Sequence, residues 1–126
     1  MAEDEWEIYQ TDEVAAWMEE LRRDDPYAAE KVEAAVDVLS EYGPTLGRPL
    51  VDTLTGSRLA NLKELRPRQT TTRVLFVFDP WRSAILLVAG DKTGQWKSWY
   101  DRAIPRAEEL YAVYVDERAK EEEEER

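Results

Sequence analysis

Arg66, Arg73 and Lys92 are cations set among strand-forming apolar residues, in Leu62-Lys63-Glu64-Leu65-Arg66, in Thr71-Thr72-Arg73-Val74-Leu75-Phe76-Val77-Phe78 and in Ala89-Gly90-Asp91-Lys92. Successive side chains on a strand point to opposite faces, so Glu64 and Arg66 share one face while Lys63 and Leu65 share the other. A sheet with apolar residues on its packed face and Arg, Lys and Glu on its open face is a platform for a phosphate backbone. RNA can be cut without a metal if its own 2′-hydroxyl attacks the adjacent phosphate. The protein must then accept that proton, neutralise the charge building on phosphorus and protonate the leaving oxygen. Arg66 and Arg73, on neighbouring strand segments, can converge on one phosphate through their planar forks of donors. Lys92 ends the next strand and adds a third cation. Glu64 is the local candidate for proton acceptor; alternatively Glu64 and Arg66 pair across one strand face and only orient each other.

Downstream, Trp96, Trp99 and Tyr100 lie beside Lys92 and Lys97. Aromatic rings interleaved with cations can stack bases while the cations hold the backbone. Three aromatics in five residues do not readily all face inward, so Trp96 or Tyr100 is expected at the surface, and Tyr100 can also serve proton transfer. Lys63 is a further RNA-contact candidate, or it reaches solvent past the helices on its own face. Arg68 and Arg82 read as turn-exposed charges, with contact to RNA the alternative.

The 126 residues suffice for one domain with a real core. There is no cysteine and no histidine, which removes disulfides, thiolate catalysis, zinc–thiolate sites and imidazole acid–base chemistry. No metal or other cofactor is expected. The N-terminus, Met1-Ala2-Glu3-Asp4-Glu5, is acidic where a signal peptide is basic, and no stretch is apolar enough to span a bilayer; a cytoplasmic protein with no membrane partner is expected. A net charge of −11 looks unsuited to a polyanion partner, but the charge is segregated. Residues 57–106 hold ten Lys or Arg against four Asp or Glu, a local +6, and the rest of the chain carries −17. Fields act mainly within a Debye length of about 8 Å, so a basic working face on an acidic body remains effective.

The elements that must position these residues follow from pattern. Trp6 to Tyr9 suits a short first strand. Thr11 or Asp12 can cap a helix with Val14, Trp17, Met18 and Leu21 on one side. Asp25-Pro26 opens a second helix, with Ala28, Val32, Ala35, Val36 and Leu39 inward and Gly43 at its end. After a loop over 43–49, strands are expected at about 58–66, 71–78 and 83–89, with a hairpin turn over Asp79-Pro80-Trp81-Arg82. Val74, Phe76 and Phe78 line one face and Leu75 and Val77 the other, so that strand is central and covered. A last helix is expected from about Ile104 through Tyr111 and Val115. The layout is α+β: an N-terminal strand, a helical hairpin, a three- to four-stranded mainly antiparallel sheet and a C-terminal helix. One domain over 1–117 and an acidic tail over 118–126 are expected. The tail is a solubilising segment, a frayed helix end or disordered; alternatively it, or the helix carrying it, lies over the basic face and mimics RNA.

The run Leu62-Lys63-Glu64-Leu65-Arg66, then Arg73-Val74-Leu75-Phe76, then Ile85-Leu86-Leu87-Val88 ending in Gly90-Asp91-Lys92, resembles the HigB/RelE-like toxins of type II toxin–antitoxin modules, in their phage-derived HigB-type branch. The similarity continues through Ile104-Pro105-Arg106-Ala107 and covers roughly residues 5–115. It implies the compact RelE-like fold and a small cytoplasmic endoribonuclease, an mRNA interferase that enters the ribosomal decoding site. It implies as partners the ribosome, mRNA and a cognate antitoxin, of helix-turn-helix type, through which alone DNA would be met. Carried over residue by residue, the functional positions fall on Glu64 or Arg66, on Arg73 and on Lys92. Some members have lysines where this chain has Leu62 and Glu64, and some depend on histidine. Some relatives on the same scaffold inhibit DNA gyrase without nuclease residues, so a gyrase-binding toxin and a degenerate antitoxin-binding domain are the alternatives.

Overall fold

The computed structural model describes residues 5–94 and 96–125, with the backbone alone at Trp96. Strand β1 (Glu7–Gln10) is followed by helices α1 (Asp12–Asp24) and α2 (Pro26–Tyr42), strands β2 (Val51–Thr53), β3 (Lys63–Leu65), β4 (Thr72–Phe78) and β5 (Ser83–Asp91), and helix α3 (Trp96–Glu124). The strands form one sheet in the order β1-β5-β4-β3-β2. β1 runs parallel to β5, and the other pairings are antiparallel. This is the expected α+β, RelE-like arrangement, with β4 at the centre.

Local signals start and stop the helices as the sequence implies. Thr11 Oγ1 accepts from the Val14 N–H at 3.2 Å, and Asp25 Oδ1 accepts from the Ala28 N–H at 3.1 Å. Two of the donors orphaned at helix N-termini are so satisfied. Gly43 stops α2 at φ +57°, and a Cβ there would stand 2.5 Å from the Trp6 indole. The glycine thus lets β1 and the end of α2 meet.

The sheet is covered on both faces. Val14, Met18, Val32 and Leu39 of the helical hairpin pack on Leu65, Val74, Phe76 and Leu86. On the opposite face, Trp99, Ala103 and Ala107 of α3 pack on Leu75, Val77, Ile85 and Leu87. These alternate positions on β4 account for a strand apolar on both sides.

Three boundaries differ from the sequence expectation. The strand expected at 58–66 is paired only over Lys63–Leu65, because the stretch before it is captured as a loop by Glu108 of α3. Glu108 Oε2 accepts from Ser57 Oγ at 2.8 Å and from the Arg58 N–H at 2.7 Å. The sheet has five strands rather than three or four, since β2 adds an edge strand of three residues, too short for alternation to show. Finally, α3 begins eight residues before Ile104 and runs through the acidic stretch to Glu124. Pro105 lies inside it, and both Pro105 and Asp101, whose carbonyl loses its helical donor, are exposed to water.

The far half of α3 is fastened to the β4–β5 turn. Tyr114 Oη donates to Asp79 Oδ2 at 2.5 Å, and Trp81 Nε1 donates to Glu122 at 2.7 Å. Arg118 lies over both the Trp81 and Tyr9 rings. At 1.5 Å per residue, Glu121 stands about 30 Å along α3 from Tyr100. The acidic run itself therefore does not reach the basic face, and it is helical rather than frayed as far as Glu124; the first turns of the helix that carries it do lie over that face.

Candidate functional site

Glu64, Arg66 and Arg73 emerge from β3 and β4 on the face that α3 covers. Glu64 stands opposite Leu75, whose side chain packs in the α3 layer, and Arg73 is two residues before Leu75 on the same strand. The expected open face is thus partly roofed by the first turns of α3. Tyr100, from that helix, donates a hydrogen bond from its hydroxyl to Glu64 Oε2. The other carboxylate oxygen, Oε1, stands 3.6 Å from Arg66 Nε and 3.9 Å from Arg73 Nε. Glu64 is 4 % exposed, so this carboxylate is held by one phenol and two guanidinium groups inside the protein.

Arg73 is 8 % exposed and anchored by backbone. Its Nη1 donates to the Thr72 carbonyl at 2.7 Å and to the Thr70 carbonyl at 3.4 Å. Its buried Nε makes no hydrogen bond among the described residues, leaving a donor aimed along the Glu64 side of the site. Arg66 is the more open of the two and leans also on Asp52 of β2, at 3.8 Å, which is itself paired with Arg48.

Lys92, just past β5, is 8 % exposed, and its backbone N–H donates to the Thr71 carbonyl at 3.2 Å. Burial lowers its pKa below the ordinary lysine value; Arg73 and Arg66 nearby push it further down, and Glu64 opposes them. A lysine so placed gives up its proton more readily than one in water. Tyr100 is shifted the other way, with burial and then the bond to Glu64 raising it to about 12, so it is a protonated donor at neutral pH.

One glycine sets the geometry. Gly90 pairs with Arg73 across the β4–β5 ladder, and the edge of the Trp99 indole lies flat against it. A Cβ at Gly90 would come within 3.0 Å of Trp99 Cε2 and closer still to the indole nitrogen. The bare backbone lets Trp99 sink to 8 % exposure, and the next residue, Tyr100, reaches Glu64. Trp99 and Tyr100 also meet edge to face at 5.0 Å.

Of the residues singled out from sequence, Glu64, Arg66, Arg73, Lys92 and Tyr100 come together. Lys63 does not: it lies on the other face, where its Nζ donates to Thr53 Oγ1 at 3.0 Å. Lys97 is exposed on the first turn of α3. The side chain of Trp96 lies outside the described residues. Arg68 and Arg82 are exposed as expected, Arg82 stacking over Trp6. The sequence reading missed Asp52, on an unrecognised strand, and the Thr70 and Thr72 carbonyls that aim Arg73. It also missed Gly90, whose signal was a glycine inside a strand pattern opposite a tryptophan-rich turn.

Residues 17–112 match the family described as phage-derived, Gp49-like protein, and the chain belongs to that family. Among its relatives are two Mycobacterium tuberculosis (strain ATCC 25618 / H37Rv) proteins that carry the names putative toxin HigB2 and putative toxin HigB3. The chain is 49% identical to the first over 105 residues, which is 81% of this chain and 51% of that protein. It is 52% identical to the second over 97 residues, 77% of this chain and 82% of that protein. The chain therefore spans about half the length of the first relative and most of the second.

Proposed function

We propose that this protein is the toxin of a type II toxin–antitoxin module and acts in the cytoplasm as a metal-independent endoribonuclease on mRNA, on the ribosome, with a cognate antitoxin as its restraining partner. The toxin part of this reading is supported by the family and by the names of its relatives. The chemistry is supported by one observation above all: a buried carboxylate bonded to a half-buried phenol, bordered by two guanidinium groups and a lysine of lowered pKa.

In this mechanism the substrate's 2′-hydroxyl meets Tyr100, which is more accessible than Glu64. The 2′-oxygen gives its proton to Tyr100 Oη as the phenol passes its own proton to Glu64 Oε2. The 2′-oxygen attacks phosphorus, and Arg66 together with the unspent Arg73 Nε donor stabilises the charge on the non-bridging oxygens. The bond to the 5′-oxygen breaks as that oxygen takes a proton from Lys92 Nζ. The products are a 2′,3′-cyclic phosphate and a 5′-hydroxyl, and solvent takes the proton from Glu64 and returns one to Lys92. In this mechanism Glu64 is both the ion-pair partner of Arg66 and the proton sink.

Mapping mRNA 5′ ends in a translating extract tests the reading. Wild-type protein is expected to create new ends in frame with codons, and an Arg66→Ala/Arg73→Ala variant none. Growth arrest without new ends would overturn it in favour of a bound target such as gyrase.

A further inference from the structure

The cation cluster opens sideways into a groove walled by Lys31 of α2, Arg66, Arg68, Gln69, Thr70 and Arg73 together with Pro49 and Pro67. Four of those eight residues are cationic, and two of them, Arg66 and Arg73, belong to the proposed catalytic cluster. The groove is thus continuous with that cluster and leads toward the N-terminal turn of α2. There Tyr27 projects, 55 % exposed, with the Lys31 ammonium 5.3 Å from its ring centroid. Tyr27 Oη donates to Gln69 Oε1 at 3.0 Å. Gln69 is a non-glycine residue at φ +61°, in the left-handed region, within the turn that Thr70 Oγ1 closes by donating to the Pro67 carbonyl at 3.0 Å.

Nothing in the packing calls for this arrangement. The core contribution of this turn of α2 comes from Ala28 and Ala29, and Tyr27 leaves most of its ring in solvent. A backbone conformation unfavourable for a side chain, spent on holding an amide against an exposed aromatic ring, is the kind of cost retained at binding sites. A second cleft adjoins the first across Gln69 and Thr70. It is lined by Tyr27, Leu21, Ala28 and Thr72 with Asp25 and Asp91, which suits a neutral, hydrogen-bonding ring and not a phosphate.

We propose that Tyr27 is the stacking platform of a nucleobase subsite beside the cleavage centre, with Gln69 at the base's polar edge and Lys31 and Arg68 on the backbone phosphates that link it to the scissile one. The ligand is single-stranded RNA, whose unpaired bases can be splayed onto an aromatic ring while cations track the backbone. This rests on the endoribonuclease reading and adds to it where the strand leaves the cluster.

The test uses the full chain and a fluorescein-labelled single-stranded RNA eight-mer of mixed sequence, 2′-O-methylated so that it cannot be cut, followed by anisotropy at several salt concentrations. Tyr27→Ala is expected to weaken binding about tenfold or more, and Tyr27→Phe, which keeps the ring, no more than about threefold. Lys31→Ala and Arg68→Ala should each flatten the dependence of log Kd on log salt by about 0.7, the slope of one lost phosphate contact to a single strand. Wild-type binding unchanged by Tyr27→Ala overturns the subsite alone. No binding by the wild type overturns the subsite as well, while the endoribonuclease reading stands or falls by the mapping of 5′ ends.

Discussion

Replacing Glu64 by alanine separates the structural role of the cluster from its chemistry. In the folded protein this 4 % exposed carboxylate faces the Arg73 side chain, itself only 10% exposed, and Lys92 lies close by in a desolvated position. Without it, Arg73 and Lys92 remain as buried like charges and the Tyr100 hydroxyl loses its acceptor. Breaking a buried pair by removing one partner costs about 3–5 kcal/mol. With an unfolding entropy of about 2.1 cal/mol/K per residue, a chain of this length loses about 4 °C of Tm per kcal/mol, so Glu64→Ala should lower Tm by about 11–19 °C. Arg66→Ala removes the exposed member, whose contacts of 3.6 and 3.8 Å are those of a partly solvated ion pair, and should cost at most about 1 kcal/mol, or about 4 °C. Differential scanning calorimetry of the two variants at pH 7 gives the comparison directly. Equal Tm losses, or a Glu64→Ala loss within 4 °C of wild type, would refute the view that the carboxylate holds the cations in place.

In the proposed mechanism Lys92 serves the leaving oxygen in its protonated form, and its pKa is lowered, so the alkaline limb of the cleavage rate should fall below 10.5; a pH–rate profile in which Lys92→Arg shifts this limb upward is the check. Tyr100, raised from 10.0 to about 12, should stay protonated through that limb. Between those two values the folded state holds a proton that the unfolded state has lost, so stability should drop with rising pH across that window, and less so in Tyr100→Phe; urea melts at pH 9 and 11 measure it. Asp25→Ala should cost about 1 kcal/mol by uncapping α2, read from the shift in urea midpoint at constant m-value.

What the sequence disclosed follows from how far each signal travels. The caps at Thr11 and Asp25, the stop at Gly43 and the two-sided apolar character of β4 are decided within a few residues, and all appear as read. The β2 edge strand and the shortened β3 are decided by remote partners, β2 by its ladder with β3 and the 57–59 loop by Glu108, some fifty residues away. The last helix, expected from about Ile104, instead runs through Pro105 from Trp96, because the chain on either side of the proline is held by packing and by the anchors to Asp79 and Trp81. In the site, strand alternation grouped Glu64 with Arg66 and set Lys63 apart, and adjacency of the strand segments brought in Arg73. It was silent on the roof, since only the folded chain shows that α3 lays Tyr100 across the carboxylate.

The seat of Trp99 on Gly90 gives this protein a point of control that carries no charge of its own. Arg73 is the ladder partner of that glycine, Lys92 lies two residues beyond it, and Tyr100 follows the tryptophan that rests on it. Three groups of the proposed mechanism, from three parts of the chain, are indexed to a single methylene, much as hands are set on one spindle. A host selecting for harmless versions of the protein should therefore find, alongside losses of the charged residues, the addition of one methyl group at position 90, which leaves every functional side chain present and misaims them together.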